Sequence, residues 1–512
     1  MSKFKTRLLD RRGFLKTTAA ATVAASLPMA ARASSGHLRV GKAHGQTTDT
    51  LNPGTWENGF TLALGFAIHG RLTEVGPDGQ LYPELAESWE ASEDASEWRF
   101  RIRKGVSFHS GKELSVDDVI ASINYHRGEN STSAAGPIVA PIQQLTADGD
   151  SVVFKLDGGN ADFPFILSDY HLTIHKANGD GMDWQSGDGC GSYVLKEFNP
   201  GVSATFEKNP NHWRDSAGFD SFEMLALVDP NARTTALVSG DVDIIDKIDL
   251  KTAGLLGRKP GVNIHSLAGN QHYTFAMLTN QDPFTDNHIR QALKYGVNRE
   301  EMVEKILFGY GSVGNDHPIG QGQRYFNTEL AQKTYDPDKA KWHLQQAGID
   351  SLSVDLSAAD AAFGGPVDAA TLFQVSAKGA GIDIKPVREP NDGYWSDVWM
   401  NKRFSAGYWD GRPVEDQMFA TAYSCGAAWN DSFWCHDRFE ALMIAARAEL
   451  NDNKRREMYW EMQDIVANQG GVIIPMFASY VFAVSDKIKL PDQMASNRDL
   501  DGERWMERWS LA

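Results

Sequence analysis

One stretch of the chain combines aromatic, acidic and basic side chains of the kinds that bind small molecules. It runs from Asn391 to Asp416, and its candidate ligand-binding residues are Trp395, Trp409, Asp410, Arg412 and Asp416. Arg412 carries a planar, permanently charged fork of donors, which suits a carboxylate or another oxyanion. The competing interpretation of Arg412 is an ion pair with Glu415 or Asp416. Trp395 lies one helical turn before Trp399, a spacing more typical of core packing than of a binding platform.

The sequence offers little support for catalysis. It contains no G-x-S-x-G elbow and no H-E-x-x-H motif. Cys435 lies beside His436 and Asp437, but adjacent residues rarely aim their side chains at each other. We therefore expect a protein that is not an enzyme and that holds no resident cofactor or metal ion, with a secreted hydrolase as a minor alternative.

The first 33 residues have the pattern of an export signal. A basic head that contains Arg11-Arg12-Gly13 precedes a short apolar stretch and the small-residue end Ala31-Arg32-Ala33. An apolar stretch of about 11 residues is too short to span a bilayer, which favours a cleaved signal. The paired arginines resemble a twin-arginine signal, so we predict a periplasmic protein cleaved after Ala33.

Export changes the interpretation of the cysteines. Cys425 and Cys435 are ten residues apart in a loop-like stretch, and in an oxidising periplasm they are expected to form a disulfide. Metal-binding thiolates usually show the shorter C-x₂₋₄-C spacing and four ligands. Cys190 stands alone between glycines and is expected to be a small buried thiol.

Length and charge narrow the partners. A chain of 512 residues has room for about three domains. The net charge is −17, and removal of the signal, with its seven basic residues and one acidic residue, takes it to about −23. Such an acidic surface repels phosphate backbones, so nucleic acid is not an expected partner.

Local patterns alternate between strands and helices, which predicts an α/β protein. Trp98–Arg103 and Ser151–Leu156 have strand patterns. Helix starts are predicted at Ser115, which opens a capping box with Asp118, and at Asp286 and Asp336. A helix from about Asp452 to Asn468 is expected to precede a buried strand at Val472–Phe477.

Several ordered blocks resemble the family 5 extracellular solute-binding proteins of peptide, nickel and opine ABC importers. The blocks are Leu81–Glu90, Trp98–Val119, Gly189–Tyr193, Phe206–Trp213, Arg233–Ile245, Pro283–Gly296 and Tyr335–Leu344. The resemblance covers residues 38 to 485. It implies a bilobal periplasmic-binding-protein fold, in which two lobes close over a solute around a hinge of crossing strands.

The resemblance also implies domain boundaries. Residues 1–33 are the signal peptide. Lobe one combines residues 34–69, 173–268 and 480–512, residues 70–172 form an added domain II, and residues 269–479 form lobe two.

The resemblance to the family adds two candidate ligand contacts, and this chain differs from the family pattern at one position. Trp56 lies where relatives contact ligand after the first strand, and Tyr273 begins lobe two just past a crossing strand. In dipeptide-binding relatives an early Asp follows the Trp equivalent to Trp409 and takes the peptide α-amino group. This chain places Arg412 near that position, which indicates a solute with at least one acid group.

These observations predict a monomeric periplasmic receptor that delivers a peptide-like, opine-like or other acid-bearing solute to an inner-membrane ABC permease and its ATPase. A nickel or metal-chelate receptor of the same fold is the alternative.

The export signal gives a direct prediction. Because the twin-arginine pair precedes a small-residue cleavage site, the mature protein should begin at Ser34. Intact-mass measurement of protein from the periplasm checks this, and a mass that includes residues 1–33 contradicts it.

Overall fold

The computed structural model describes residues 36–179 and 181–512. The predicted signal peptide and its cleavage site lie outside the described residues. No helix within the described ranges is both long and apolar enough to cross a membrane.

The first sheet is built from strands near both ends of the chain. In spatial order these strands are Tyr193–Asn199, Ser203–Lys208, Ser221–Ala226, His37–Lys42, Ile244–Ile245, Tyr480–Ser485 and Val262–Leu267. The strand His37–Lys42 runs parallel to both of its neighbours. Tyr480–Ser485 enters antiparallel to both of its own. The C-terminal part of the chain therefore completes the sheet that the N-terminal strand begins.

The helix Gly59–Ile68 packs against this first sheet. Asn58 caps it, because its side-chain oxygen accepts hydrogen bonds from the N–H groups of Phe60 and Thr61 at 3.0 and 3.2 Å. Nine of its ten residues are buried, as expected for a helix that is apolar all round. The other helices of this lobe are the 3₁₀ turn Pro53–Thr55 and Pro230–Ser239, Leu250–Leu256, Asp499–Glu503 and Trp505–Arg508.

A smaller antiparallel sheet forms its own layer between residues 86 and 156. Its strands, in spatial order, are Ala86–Ala91, Glu97–Ile102, Ser151–Leu156 and Ile142–Asp148. Its helices are Val116–Tyr125, Gly136–Val139 and Phe163–Ile166. The Arg103 guanidinium lies 4.3 Å from the ring centre of Trp213, and Arg508 donates to the Val75 carbonyl at 2.7 Å. The first contact attaches the small sheet's domain to lobe one, and the second attaches the segment that precedes that sheet.

The remaining short strand pairs also lie on the side of lobe one. They are Thr73–Val75 with Leu81–Pro83, Ala177–Asn178 with Gly181–Met182, and Ile488–Lys489 with Ser510–Leu511.

Lobe two is built around a mixed sheet. Its strands, in spatial order, are Gly311–Val313, Val472–Ala478, His272–Met277, Phe404–Trp409, Leu352–Ala358 and Ile382–Arg388. Its helices are Asn287–Gly296, Arg299–Ile306, Pro337–Gln346, Pro366–Ala377, the 3₁₀ turn Lys378–Ala380, the π-helical turn Tyr394–Val398, Glu415–Ala422, Asp437–Ala448 and Asp452–Gln469.

Two connections cross between the large sheets in the described part of the chain. The first lies between Val262–Leu267 and His272–Met277, and the second is Ser479, between Val472–Ala478 and Tyr480–Ser485. The crossing connections therefore lie side by side, because the strands before and after them pair in both sheets. This arrangement confirms the predicted α/β fold with two lobes.

The local predictions agree with the structure. Ser115 and Asp118 form the capping box that opens Val116–Tyr125, and Asp286 and Asp336 cap the helices that follow them. These starts were predictable because a capping side chain acts on backbone groups two or three residues away.

Buried titratable groups give the fold a pH dependence. Burial lowers the pKa of six histidines to about 4 or about 3: His44, His126, His175, His272, His317 and His343. Burial also raises the pKa of four carboxyls, to about 7 for Glu415 and Glu503 and to about 6 for Asp431 and Asp499.

The two groups act in opposite directions. Between pH 6 and 5 the unfolded chain protonates the histidines while the native state keeps them neutral, so acidification favours unfolding. The four carboxyls are protonated in the native state and ionised in the unfolded chain, which favours folding over the same range. Because the histidines outnumber the carboxyls, the free energy of unfolding should fall as the pH drops from 6 to 5 and should change little between pH 8 and 7. Urea unfolding at fixed ionic strength measures this, and a free energy that rises on acidification contradicts it.

Candidate functional site

A cleft between the lobes is the candidate binding space that the predicted ligand turn lines. It encloses about 970 Å³, part of it open to solvent. Lobe two contributes the turn after the strand Phe404–Trp409, including Gly411, Pro413 and Val414, and lobe one contributes Asn497 and Arg498. The loop that follows the carboxyl end of a strand is a usual position for ligand contacts in α/β proteins.

Arg412 lies on the turn that lines this cleft, and its side chain is half-buried. Its guanidinium donates to the Asp410 carbonyl at 3.2 Å, and its Cζ atom lies 6.0 Å from the ring centre of Trp409. Within the described residues no carboxylate oxygen lies within 4.0 Å of it. Burial lowers its pKa. Arg412 is therefore a partly desolvated cation without an anionic partner.

The expected ion-pair partners of Arg412 are engaged elsewhere. The Asp416 carboxylate binds the Arg447 Nε atom at 3.0 Å, and the Glu415 Oε1 atom accepts from the Tyr325 N–H at 2.8 Å. The ion-pair interpretation of Arg412 is not realised. Asp416 is only 8% exposed, and its carboxylate is occupied by the pair with Arg447. Asp416 therefore has a structural role and offers no free carboxylate to a solute.

The side chains of Trp409 and Asp410 lie in different environments. Trp409 is buried, and its indole N–H donates to the Asp431 carboxylate at 3.3 Å. Asp410 is exposed, and its carboxylate accepts from the Gln271 side chain at 2.8 Å. Of these two neighbours of the turn, Asp410 is the one with oxygen atoms available to a solute.

An aromatic surface continues lobe two beyond the turn. Trp395 is 41% exposed and Tyr408 is 37% exposed, with ring centres 5.7 Å apart. Tyr273 is the neighbour of Tyr408 across the two strands, and it stacks on Phe363 at 4.2 Å. The structure thus brings Trp395 and Tyr273 to one face, with Tyr408 between them. Sequence analysis did not include Tyr408 among the candidate ligand contacts, although its alternation with Trp409 along a strand indicated that it faces the opposite side.

Trp56 has a different place. Its side chain is fully buried, and its indole N–H donates to the Thr50 carbonyl at 3.0 Å. A Cβ atom at Gly65 would lie 2.3 Å from the Trp56 ring, so this glycine allows the indole to pack against the helix Gly59–Ile68. The structure therefore places Trp56 in the core of lobe one, because its indole leaves no surface for a solute.

Sequence reasoning also missed a second cation at the cleft. Arg498 is half-buried, and its guanidinium lies 4.4 Å from the ring centre of Tyr170. No motif in the C-terminal segment marked it, because its position depends on packing against a residue more than 300 positions earlier in the chain.

The predicted disulfide is present in the structure. Cys425 and Cys435 are bonded, and the loop they close carries Trp429, which is 53% exposed and lies 6.1 Å from Trp409 between ring centres. Cys190 is a free, buried thiol, and burial raises its pKa to about 12. Its thiolate form is therefore scarce at neutral pH.

A buried ion pair joins the small sheet's domain to lobe two. The Arg455 guanidinium binds both carboxylate oxygens of Asp162, with 2.6 Å between Nη1 and Oδ1, and each side chain is 3% exposed. Beside it, the Ala161 N–H donates to the Arg447 carbonyl at 2.7 Å. These contacts connect the lobes at a place separate from the crossing connections.

Metal ligands do not cluster in the described part of the chain. Residues 36–179 and 181–512 contain no group of three or more histidine, cysteine, aspartate or glutamate side chains placed to hold a metal ion.

A family model described as bacterial extracellular solute-binding proteins, family 5 Middle, matches residues 80–431. The chain belongs to this family. It is therefore a solute-binding receptor of the kind that serves ABC importers in the periplasm, and its family is one of binding proteins rather than of enzymes.

Individual family 5 relatives are similar along most of their length. The dipeptide-binding protein of Escherichia coli (strain K12) is 25% identical over 488 residues, which cover 86% of this chain and 89% of the relative. The structure of HbpA2 from Haemophilus parasuis matches with a TM-score of 0.82 and 19% identity, covering 93% of this chain and all of that one. AgaA from A.tumefacien R10, solved in complex with agropinic acid, matches with a TM-score of 0.70 and 22% identity, covering 93% of this chain and 99% of that one. The structural likenesses confirm the bilobal fold.

The buried pair gives a prediction with a matched control. Arg455→Met removes one partner and leaves the Asp162 carboxylate buried near Glu415 and Asp416, so the free energy of unfolding should fall by about 3–5 kcal/mol. Arg438 forms an exposed pair with Glu461 at 2.7 Å, and Arg438→Met should change the free energy of unfolding far less, because solvent screens an exposed pair. Urea unfolding of both variants measures the difference, and equal effects would show that burial of the Asp162 pair carries no special cost.

Proposed function

We propose that this receptor captures a small solute with at least one acid group between its lobes, closes around it at the two crossing connections, and delivers it to an ABC permease and its ATPase. The receptor acts as a monomer in this proposal. The ligand-binding residues are Arg412, Asp410, Tyr273 and Trp395, with Tyr408 added from the structure.

The observation that carries the proposal is the unpartnered guanidinium of Arg412. A half-buried cation costs solvation free energy unless an anion or several acceptors compensate it. Its two candidate internal partners are bound to Arg447 and Tyr325. A carboxylate or another oxyanion of a solute would supply the missing partner in a bidentate geometry.

The aromatic surface supports a solute with an apolar or planar part. Trp395 and Tyr408 expose their rings beside the turn that carries Arg412. The relatives' names cover dipeptides and agropinic acid, and both ligand types combine an acid group with a larger body. The proposed class for this chain has the same two parts.

The proposal includes export and domain organisation. Export proceeds through the twin-arginine signal, with cleavage after Ala33. Residues 34–69, 173–268 and 480–512 form lobe one, with 70–172 attached to it, and residues 269–479 form lobe two. The sheet strands and the contacts between Arg103 and Trp213 support this division.

A thermal-shift screen followed by one substitution tests the proposal. The screen contains dipeptides, opines, amino-sugar conjugates and nickel chelates, and a solute at a hundredfold excess over its Kd should stabilise the protein by ~2.7 kcal/mol. For the acid-bearing compound that binds most tightly, Arg412→Ala should weaken binding about ten- to a hundredfold, because a charged hydrogen bond is lost. Isothermal titration calorimetry measures the change.

The control is an arginine at the same edge of the lobe-two sheet. Arg388 ends a parallel strand but already pairs with Asp360 at 2.9 Å, so Arg388→Ala should leave the affinity within about threefold. Arg412→Lys should restore only part of the affinity, because an ammonium lacks the planar fork. If Arg412→Ala lowers the melting temperature of the empty protein and leaves affinity unchanged, Arg412 is structural and the acid preference fails.

A further inference from the structure

A second unpartnered guanidinium lies at the cleft, on the opposite lobe from Arg412. Arg498 belongs to the C-terminal segment that completes the lobe-one sheet, and it lines the same space as Gly411 and Pro413. Within the described ranges no carboxylate oxygen lies within 4.0 Å of its guanidinium. Its guanidinium instead lies over the ring of Tyr170.

Other arginines that line this space already have carboxylate partners. Arg71 lies 3.3 Å from Glu84, Arg504 binds Glu507 with 2.8 Å between Nε and Oε2, and Arg324 binds Asp452. Arg498 and Arg412 differ from these three because their donors lack an anion. Two cations without anions, one from each lobe, are thus available to a bound molecule.

Tyr170 connects the two guanidiniums electrostatically. Burial raises the pKa of the Tyr170 phenol to about 12. The positive charges of Arg498 and Arg412 both act on this phenol and oppose that rise. The carboxylates of Asp169, Glu57 and Asp410 also face this region, and the charge of Arg498 helps to lower the pKa of Asp169. Asp169 pairs with His171 at 2.6 Å, and none of the three carboxylates lies within 4.0 Å of either guanidinium in the described residues. The two guanidiniums therefore share one neighbourhood across the cleft.

The backbone holds Arg498 in a fixed position. Asp499–Glu503, which follows it, contains Leu500, Asp501 and Glu503 with φ between 46° and 59°, a left-handed conformation that is unfavourable for these residues. The Asp501 carboxylate holds this turn by accepting from the Ala495 N–H at 2.7 Å and the Trp509 indole at 3.2 Å. A strained turn that is fixed at several points positions a side chain at low entropic cost.

From these contacts we propose that the solute carries two acid groups, one for Arg412 on lobe two and one for Arg498 on lobe one. This inference rests on the proposed function and narrows its substrate class to small diacids, including acidic dipeptides and imino diacids. Without a ligand, closure brings two like charges towards the same tyrosine, which is unfavourable. A diacid neutralises both and so couples binding to closure.

The test compares diacids with their singly charged counterparts on the full mature protein. The probes are the α,ω-dicarboxylates from succinate to sebacate and alanyl-glutamate, each paired with its monoamide or with alanyl-glutamine. At least one diacid should raise the melting temperature and bind about tenfold or more tightly than its paired probe, measured by calorimetry.

Substitution of Arg498 then assigns the second acid group. Arg498→Ala should weaken the best diacid about tenfold or more but leave its singly charged counterpart nearly unchanged, and Arg498→Lys should restore part of the loss. Arg258→Ala removes an exposed arginine of the same lobe and should leave both affinities unchanged. If Arg498→Ala does not fold, Arg498→Gln keeps the side-chain stem and serves in its place.

The outcomes separate the two proposals. If acids bind and depend on Arg412, but a monoamide binds as well as its diacid or Arg498→Ala leaves the diacid affinity unchanged, the second acid site is overturned and the proposed function stands. If no acid in the panel binds, both are overturned.

Discussion

The buried pair of Asp162 with Arg455 joins lobe two to the small sheet's domain, away from the crossing connections. Two adjacent connections are the covalent links between the large sheets in the described chain, and links placed side by side leave rotation about them free. The relative position of the lobes therefore depends on contacts away from the hinge. Of the contacts between the lobes described above, this pair is the one formed by two buried charges.

Such a pair would suit the opening and closing proposed above. Burying two charges costs solvation free energy that their attraction only partly returns, so a complete buried pair is near balance with the separated, hydrated charges. In the proposed motion, opening would rehydrate both ions together, and closing would pair them again without leaving either alone. Because neither state is strongly favoured by the pair itself, a ligand needs only a modest difference in affinity to shift the population. The neighbouring Glu415 has a pKa raised to about 7 by burial, so its ionisation adds a negative charge beside Asp162 at higher pH.

The sequence predicted the parts of the fold that depend on nearby residues. Asp286, Ser115 and Asp336 act on backbone groups within one turn, so their caps were visible locally. The disulfide was predictable because Cys425 and Cys435 close a short loop in an exported chain. Arg498 was not predictable, since its contact with Tyr170 joins distant segments.

The role of a single side chain could be assigned only once its packing in the structure was known. A tryptophan near a cleft and a tryptophan in a core have the same sequence pattern. The close contact of the Trp56 ring with Gly65 shows that Trp56 is a core residue. Arg412 presented the same difficulty in reverse. Two carboxylates follow it within four positions, yet Glu415 and Asp416 turn towards Tyr325 and Arg447, because the helix Glu415–Ala422 directs them into the interior. The sequence of this turn suggests an ion pair between Arg412 and a following carboxylate, but in the structure Arg412 has no carboxylate partner within the described residues.

An acidic protein that binds an acidic solute needs its selectivity at short range. The net charge of −17 repels anions at a distance, although salt screens this field beyond roughly 8–10 Å. Inside the cleft the balance reverses, because a charge-assisted bidentate bond to a partly desolvated guanidinium is stronger than the same contact in water. Anions that cannot reach such a bond gain nothing to offset the repulsion. The acidic surface therefore lowers the occupancy of the cleft by small anions in general, and under the proposed function the solute that stays bound is one whose acid groups match the positions of the cleft arginines.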